Sequence, residues 1–384
     1  MITCQAVFTI VTQSHLHYAQ VLMASVMKLH PEVSRVIVLV DEPNELPAES
    51  DIADFLYLRD LEIPFYRRFL FQYTAFELCC ALKPFVFRFL ASAGCVEIIY
   101  FDSDICVYSP LDEIYRRLAG SSILLTPHIT ESLPDDGLIP SVASLRRAGA
   151  FNAGFVAIRK STSAESFITW WCAMCQKSCI IDWGCGIHVD QGWLDLVPGL
   201  FDGVEVVKSA GWNVAYWNIP SRPITRGPSG EWLAACEPLV FFHFSGFSPD
   251  APELLSRHQN RINTAQMPFL ADLLEQYARR LDTSGRQEFQ GRSFGFDSLS
   301  DGTPIRRLWR EAIRKDHPLL TGVDDPFDVH GPSDLRSRLK RAARDMSESR
   351  EDWRIQGDSF LDRTIRRLPF ISALYLTIRR RIRG

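Results

Sequence analysis

The sequence predicts an α/β fold built on a mostly parallel sheet, and two observations predict it. Short segments rich in β-branched and aromatic residues recur along the first 250 residues. Between several of them lie stretches whose apolar side chains have helical spacing. Strands that alternate with helices pair in parallel, and the helices cover the faces of the sheet. The chain has the material for such a core: 384 residues, 46% hydrophobic and 23% charged, an ordinary globular composition.

The elements follow in order. AVFTIVT (6–12) reads as a buried strand. SHLHYAQVLMASVMKLHP continues with helical spacing, Ser14 placed to cap the helix and Pro31 to end it. RVIVLVD (35–41) is a second strand, closed by Asp41. TAFELCCALKPFVFRFLAS has helical character and leads into the strand VEIIYF, after which come SSILLTP, GFVAIRK, VEVVK and LVFFHF. Beyond residue 250 the texture changes to a helical pattern without a further strand signal. The expected organisation is therefore an α/β domain over 1–250, a helical extension over 251–332 and a basic amphipathic helical tail over 333–384.

Charge separates tail from body. Residues 333–384 carry 14 Lys and Arg against 7 Asp and Glu, leaving 28 against 39 elsewhere. The body does not read as a nucleic-acid binder. The tail suits peripheral contact with an anionic membrane surface, or equally a solvated helix or a docking face. MITCQAVFTIVTQ has no basic leader region. No apolar run approaches the ~18 residues of a membrane helix. The ten cysteines are expected as reduced thiols of a cytoplasmic protein. Cys172, Cys175, Cys179 and Cys185 do not repeat the paired Cys-x-x-Cys spacing of structural zinc; the first three lie in an apolar segment of helical character, and the four read as packing thiols.

The chemistry starts where a strand ends on charge. Residues i and i+2 of an extended segment point the same way, so Asp102 and Asp104 present two carboxylates together. Like charges that close raise a pKa or require a cation. Hard oxygens suit Mg²⁺ or Mn²⁺, which typically serve a diphosphate. The plain alternative is a solvated turn. RAGAFNAGFVAIRKS places Asn152 and Gly154 beside a strand, where glycine lets backbone approach a ligand or merely permits a turn. GIHVDQGWLDLVPGLF holds Asp190 and Gln191 at a helix start. GWNVAYWNIP, with Trp217 and Asn218, is a wall for a sugar ring or an aromatic satellite core. LVFFHFSGF ends a strand on His243, followed by Gly246; this histidine is either a third metal ligand or a packed core residue.

The order FDSD, FNAG, VDQGW, HFSG resembles the GT-A glycosyltransferases, especially glycosyltransferase family 8 and related bacterial polysaccharide-type enzymes, over roughly residues 5–250. The resemblance implies a Rossmann-like nucleotide-diphospho-sugar transferase fold and a metal-dependent hexosyltransferase that retains anomeric configuration. It implies that Asp102, Asp104 and His243 hold Mn²⁺ or Mg²⁺ at the donor diphosphate. Asn152 would touch the donor sugar, and Asp190 and Gln191 would line its reacting face. Thr9, Thr12 and Lys83 fall where nucleotide and phosphate contacts are expected, and Gly154, Trp217, Asn218 and Gly246 complete the donor-binding candidates. The donor is expected to be a UDP-sugar, with GDP as the alternative, and the acceptor a saccharide, lipid-linked or protein group. One departure stands out. The family ending carries a lysine that contacts the diphosphate, and HFSGFSPDAPE lacks it.

Two other readings compete. A silent relative would bind nucleotide sugar without turnover. A haloacid-dehalogenase-like phosphohydrolase would use the first aspartate as nucleophile. That motif normally ends the first strand of its fold, whereas two βα units precede it here and Cys106 holds the position of a customary Thr or Val.

Overall fold

A computed structural model describes residues 5–41, 51–330 and 334–348. The chain divides into two compact units, Met1–Asp297 and Ser298–Gly384.

In the first unit β1 (Gln5–Val11) runs into α1 (Leu16–Leu29), then β2 (Ser34–Leu39) and β3 (Asp54–Tyr57). Ser14 does not cap α1. It lies in a 3₁₀ turn, Gln13–His15, where its hydroxyl meets Thr12 Oγ1 at 2.9 Å and His15 Nδ1 at 2.9 Å. The short helix α2 (Tyr66–Phe71) precedes α3 (Ala75–Ser92). Thr74 caps α3 reciprocally with Glu77. Then come β4 (Glu97–Phe101), β5 (Ile105–Val107), α4 (Asp112–Leu118), β6 (Ile123–Pro127), α5 (Val142–Ala148), β7 (Phe151–Arg159) and α6 (Thr162–Cys175). A two-stranded ribbon, β8 (Ile181–Asp182) and β9 (Ile187–His188), leads to the short helices α7 (Gln191–Leu194) and α8 (Val197–Leu200). The strands end with β10 (Val204–Val206), β11 (Ile224–Arg226), β12 (Trp232–Ala234), β13 (Glu237–Pro238) and β14 (Phe241–His243).

The central sheet has seven strands in the order β10-β6-β7-β4-β1-β2-β3. It is mostly parallel, as the alternation of strands and helices predicts; β7 alone runs antiparallel, against β4 and β6. Its strands are apolar runs rather than alternating ones because helices bury both faces. Beyond it, β5 pairs antiparallel with β14 in a separate ribbon. That ribbon is held by α9 (Pro268–Thr283), whose Leu270, Leu273, Leu274 and Tyr277 share an apolar cluster with Phe242 and Phe244. Tyr277 stacks on Phe244 with ring centroids 3.6 Å apart. The compact unit thus runs past residue 250, because this helix packs on the strand that carries His243.

Cys172, Cys175 and Cys179 are buried and Cys185 is exposed. The second unit contains the helix Arg307–Arg314 and a helical stretch over 335–348. Most of the basic tail, from 349 onward, lies outside the described residues. No described helix is long and apolar enough to cross a membrane.

Candidate functional site

Four chain segments converge beyond the carboxyl end of β4, the edge at which open α/β sheets bind ligands. The Asp102 amide donates to Gly154 O at 2.8 Å, and a tight turn returns the Ile105 amide to Asp102 O at 3.0 Å. Asp104 opens the β5–β14 ribbon, in which His243 lies opposite Ile105. The Phe244 amide closes on Asp104 O at 2.8 Å. Backbone pairing therefore brings His243 to the two carboxylates across more than a hundred residues of chain.

His243 Nε2 lies 3.0 Å from Asp104 Oδ1 and 3.7 Å from Asp102 Oδ2. These three side chains are the one group of potential metal ligands among the described residues, with their ligand atoms within 4.8 Å of one another. The other ring nitrogen fixes the tautomer. Nδ1 faces two amide oxygens, Asn152 Oδ1 at 3.2 Å and Asn213 Oδ1 at 3.2 Å. The first orientation is set by an unambiguous backbone donor, the Gly154 amide to Asn152 Oδ1 at 3.1 Å, and the second follows because Asn213 Nδ2 donates to that same oxygen at 3.0 Å. Nδ1 therefore carries the proton, and the Nε2 lone pair points at two carboxylates. That is repulsive unless a proton or a cation lies between them. Burial opposes charge on His243, but Asp104 and then Asp102 outweigh it and raise its pKa. Two hard carboxylates, one imidazole and an oriented outer amide shell fit Mn²⁺ or Mg²⁺.

Gly154 makes this approach possible. A Cβ there would stand 2.4 Å from His243 Cε1 and 2.7 Å from Asn152 Oδ1, so only glycine lets β7 pass beneath the imidazole.

A second charged centre lies below. Lys83, on α3, reaches Asp190 Oδ2 at 3.0 Å, Asp102 Oδ1 at 3.4 Å and Ala153 O at 3.0 Å. Its ammonium sits 4.6 Å from the Tyr100 ring centroid, and Tyr100 donates its hydroxyl to Asp102 Oδ1 at 2.5 Å. Lys83 and Asp190 are 2% and 1% exposed, so each needs the other. Burial disfavours the ammonium, but Asp102 and Asp190 raise its pKa and hold it charged. For Asp190, burial raises the pKa against the pull of Lys83. Apart from Lys83 and the weak thiol donor of Cys80, the Asp190 carboxylate has no hydrogen-bond partner among the described residues.

Gln191 is placed differently. Its Oε1 accepts from Asn152 Nδ2 at 3.1 Å and from the Ala153 amide at 3.0 Å, and its Nε2 donates to Ala148 O at 2.9 Å. It braces the FNAG strand. Asn218 is likewise engaged, accepting the Ala215 amide at 2.9 Å and donating to Asn213 O at 3.0 Å. Trp217 is buried, its ring edge-on to both His128 and His243 at 5.2 Å. Gly246 adopts φ +71° just beyond the His243 strand. Thr12 stands at the open end of β1 beside Ser14 and His15. Thr9 is not brought to that surface: it is wholly enclosed within β1.

Tyr100, Thr126, His128 and Asn213 also belong to this network, and no motif in the sequence marks them. Asn213 donates to Thr126 Oγ1 at 2.8 Å and Asn152 Oδ1 at 3.0 Å. Its backbone has φ +50°, a conformation asparagine tolerates better than most residues. His128 donates Nδ1–H to Gly149 O at 2.8 Å, and burial lowers its pKa to about 4. Only the asparagine in the aromatic run GWN gave any local signal. The others are ordinary strand residues in the sequence.

No family model matches the chain. It is 27% identical over 250 residues to the uncharacterized protein YfnD of Bacillus subtilis (strain 168), covering 62% of this chain and 77% of that one. It is 25% identical over 209 residues to YfnF of the same organism, covering 52% of this chain and 66% of that one. Among solved structures it is similar to the galactosyltransferase LgtC in complex with donor and acceptor sugar analogs. That likeness has a TM-score of 0.41 at 17% identity, over 72% of this chain and 95% of that one. The glycosyltransferase GlyE of Streptococcus pneumoniae TIGR4 matches with a TM-score of 0.41 at 14% identity, over 75% of this chain and 66% of that one.

Proposed function

We propose that the chain is a metal-dependent glycosyltransferase that moves a hexose from a nucleotide-diphosphate sugar, UDP- or GDP-linked, to an acceptor hydroxyl with retention of configuration. The observation that carries this reading is the cluster of Asp102, Asp104 and His243 at the ligand-binding edge of the sheet, with Asp190 buried next to it. Asp102, Asp104 and Lys83 alone leave a net negative site, and adding Asp190 deepens it, so the site calls for a divalent cation.

In the reaction the bond between the anomeric carbon and the phosphate oxygen breaks, its electron pair leaving with the nucleoside diphosphate. Asp102, Asp104 and His243 would hold a divalent ion, which would supply charge stabilisation to that diphosphate. The chain's residues do the rest. Asn152 and Asn213 keep the His243 proton on Nδ1. Asp190, whose carboxylate keeps acceptor capacity, faces the positive charge that develops on the sugar ring. Lys83 bridges Asp190 and Asp102 and holds them side by side. Gln191 acts one step back, fixing Asn152 for the donor sugar. The acceptor hydroxyl forms the new bond to the anomeric carbon and gives up its proton to solvent water. We assign the acceptor to saccharide, lipid-linked or protein hydroxyls. The setting is the cytoplasm, where the basic tail would bring the enzyme to the inner membrane face.

The test is hydrolysis of a panel of UDP- and GDP-sugars by the full chain with and without MnCl₂, wild type against Asp104→Asn. One donor hydrolysed only with metal and only by wild type supports the reading. Metal-dependent binding without turnover, even with acceptors added, identifies a silent relative. Neither binding nor turnover contradicts the reading.

A further inference from the structure

The proposed reaction leaves a charge unaccounted for. A departing nucleoside diphosphate gains a negative charge as its bond to the sugar breaks. Two carboxylates already neutralise a divalent ion, and Lys83 is committed to Asp102 and Asp190. The lysine expected after the HFSG turn is absent, since the chain reads HFSGFSPDAPE there.

The structure brings another segment onto that turn. The Arg257 amide donates to Gly246 O at 3.0 Å, and the His258 amide donates to Ser256 Oγ at 3.1 Å. Gly246 has φ +71°, and a Cβ there would stand 2.4 Å from His258 Cδ2 and 2.6 Å from Ser256 Oγ. The turn after the third candidate metal ligand is therefore shaped to receive the Ser256–His258 segment. Arg257 Nε donates to His258 Nε2 at 3.3 Å, which orients the guanidinium. Its two terminal amino groups have no protein partner among the described residues.

Its neighbours in sequence are spoken for. Arg261 is bidentate to Asp136 at 2.6 and 2.8 Å. Arg279 pairs with Glu275, Arg280 with the Cys106 thiol, and Arg286 with Asp250 and Asp282. Arg257 is exposed, and its backbone is held three residues beyond His243 by the bond to Gly246. It and Asp104 act electrostatically on the same three groups, His15, Tyr18 and His258. Burial lowers the pKa of both histidines. The guanidinium is charged at any working pH.

We propose that Arg257, steadied by His258 on the Gly246 turn, binds the diphosphate of the nucleotide and takes the charge of the leaving group. A planar fork of donors suits two phosphate oxygens, and a cation fixed in advance stabilises charge where it develops. The assignment rests on the sugar-transfer reading above and gives that site a leaving-group partner.

Calorimetric titration of the full chain, loaded with MnCl₂, with UDP, GDP, UMP and GMP tests it. Wild type is compared with Arg257→Ala and Arg257→Lys. Loss of a charge-assisted contact should weaken diphosphate binding about ten- to a hundredfold. Monophosphate affinity should stay within about threefold, a difference of under 1 kcal/mol, and Arg257→Lys should recover part of the loss. Unchanged diphosphate affinity in Arg257→Ala, with wild-type binding intact, overturns this inference and leaves the proposed function standing. An equal loss for monophosphates also overturns it, since Arg257 would then serve the nucleoside end. No binding of any nucleotide by wild type overturns the proposed function and the inference with it.

Discussion

The floor of the site and its open face use hydrogen bonds in opposite ways. On the floor Asn152, Gln191 and Asn213 spend their amide groups on one another, on nearby backbone and on the Thr126 hydroxyl. On the face Asp190 keeps acceptor capacity, while Asp102 and Asp104 crowd a histidine lone pair. Buried polar groups are normally satisfied, so residual capacity at a cleft marks what meets a ligand. Saturation marks what holds the cleft in shape. The difference separates neighbours in sequence: Asp190 belongs to the face and Gln191 to the floor.

Four perturbations break or sharpen that comparison, from the largest expected effect down. Gly154→Ala drives a methyl group into His243 and Asn152 and displaces floor and face together. Donor turnover should fall about a hundredfold or more, the cost of a small misplacement of reacting groups. Circular dichroism should still report a folded chain, and wild-type turnover in this variant would contradict the geometry.

Next comes the ion pair between Lys83 and Asp190. Lys83→Met strands Asp190 as a buried charge and should cost about 3–5 kcal/mol in urea unfolding. The double variant Lys83→Met/Asp190→Asn removes that stranded charge and should recover much of the loss. A single variant as stable as wild type would mean that the two groups do not depend on each other.

The floor predicts a pH dependence through His128. Its folded pKa of about 4 lies below the usual 6.5, so the unfolded chain takes up the proton first. Its contribution is fully present above pH 6.5 and is lost as pH falls toward 4, by at most about 3 kcal/mol. Protonation would also turn Nε2 toward the Asn152 amide donor, 3.4 Å away, as a competing donor. The difference in stability between wild type and His128→Gln should shrink across that window. A pH-independent difference would place the histidine outside the network.

The smallest effect is expected far from both regions. Arg279 and Glu275 form an exposed i,i+4 pair, and Arg279→Ala should change stability by no more than about 0.5 kcal/mol. A larger change in the same urea series would show that surface pairs carry part of what is attributed here to the floor.

Much of this was legible in the sequence where the information is local. Apolar runs gave the parallel strands, and the alternation of strand and helix gave the sheet. The spacing of Asp102 and Asp104 gave two carboxylates on one side of a strand end. Asn152, Gly154, Asp190 and His243 stood out because each interrupts or ends an apolar run. What was not legible is non-local. The partnership of His243 with Asn213 depends on how a loop folds back, and that of Lys83 with Asp190 on two elements more than a hundred residues apart. Thr9 looked like a strand-end residue yet lies wholly inside β1, since period-two alternation does not tell inside from edge when both faces are covered. Ser14 looked like a cap, but its hydroxyl is taken by Thr12 and His15. The short strands β11 to β13 carry too few residues for a pattern to register.

The most direct test of the central claim is a calorimetric titration of UDP and GDP into the full chain, with MnCl₂ and with EDTA, for wild type and Asp104→Asn. The account predicts that one nucleotide binds wild type only when the metal is present, and that the variant loses this binding. Equal affinity in EDTA, or in the variant, would contradict it, because the face would then bind nucleotide without the cation its carboxylates require.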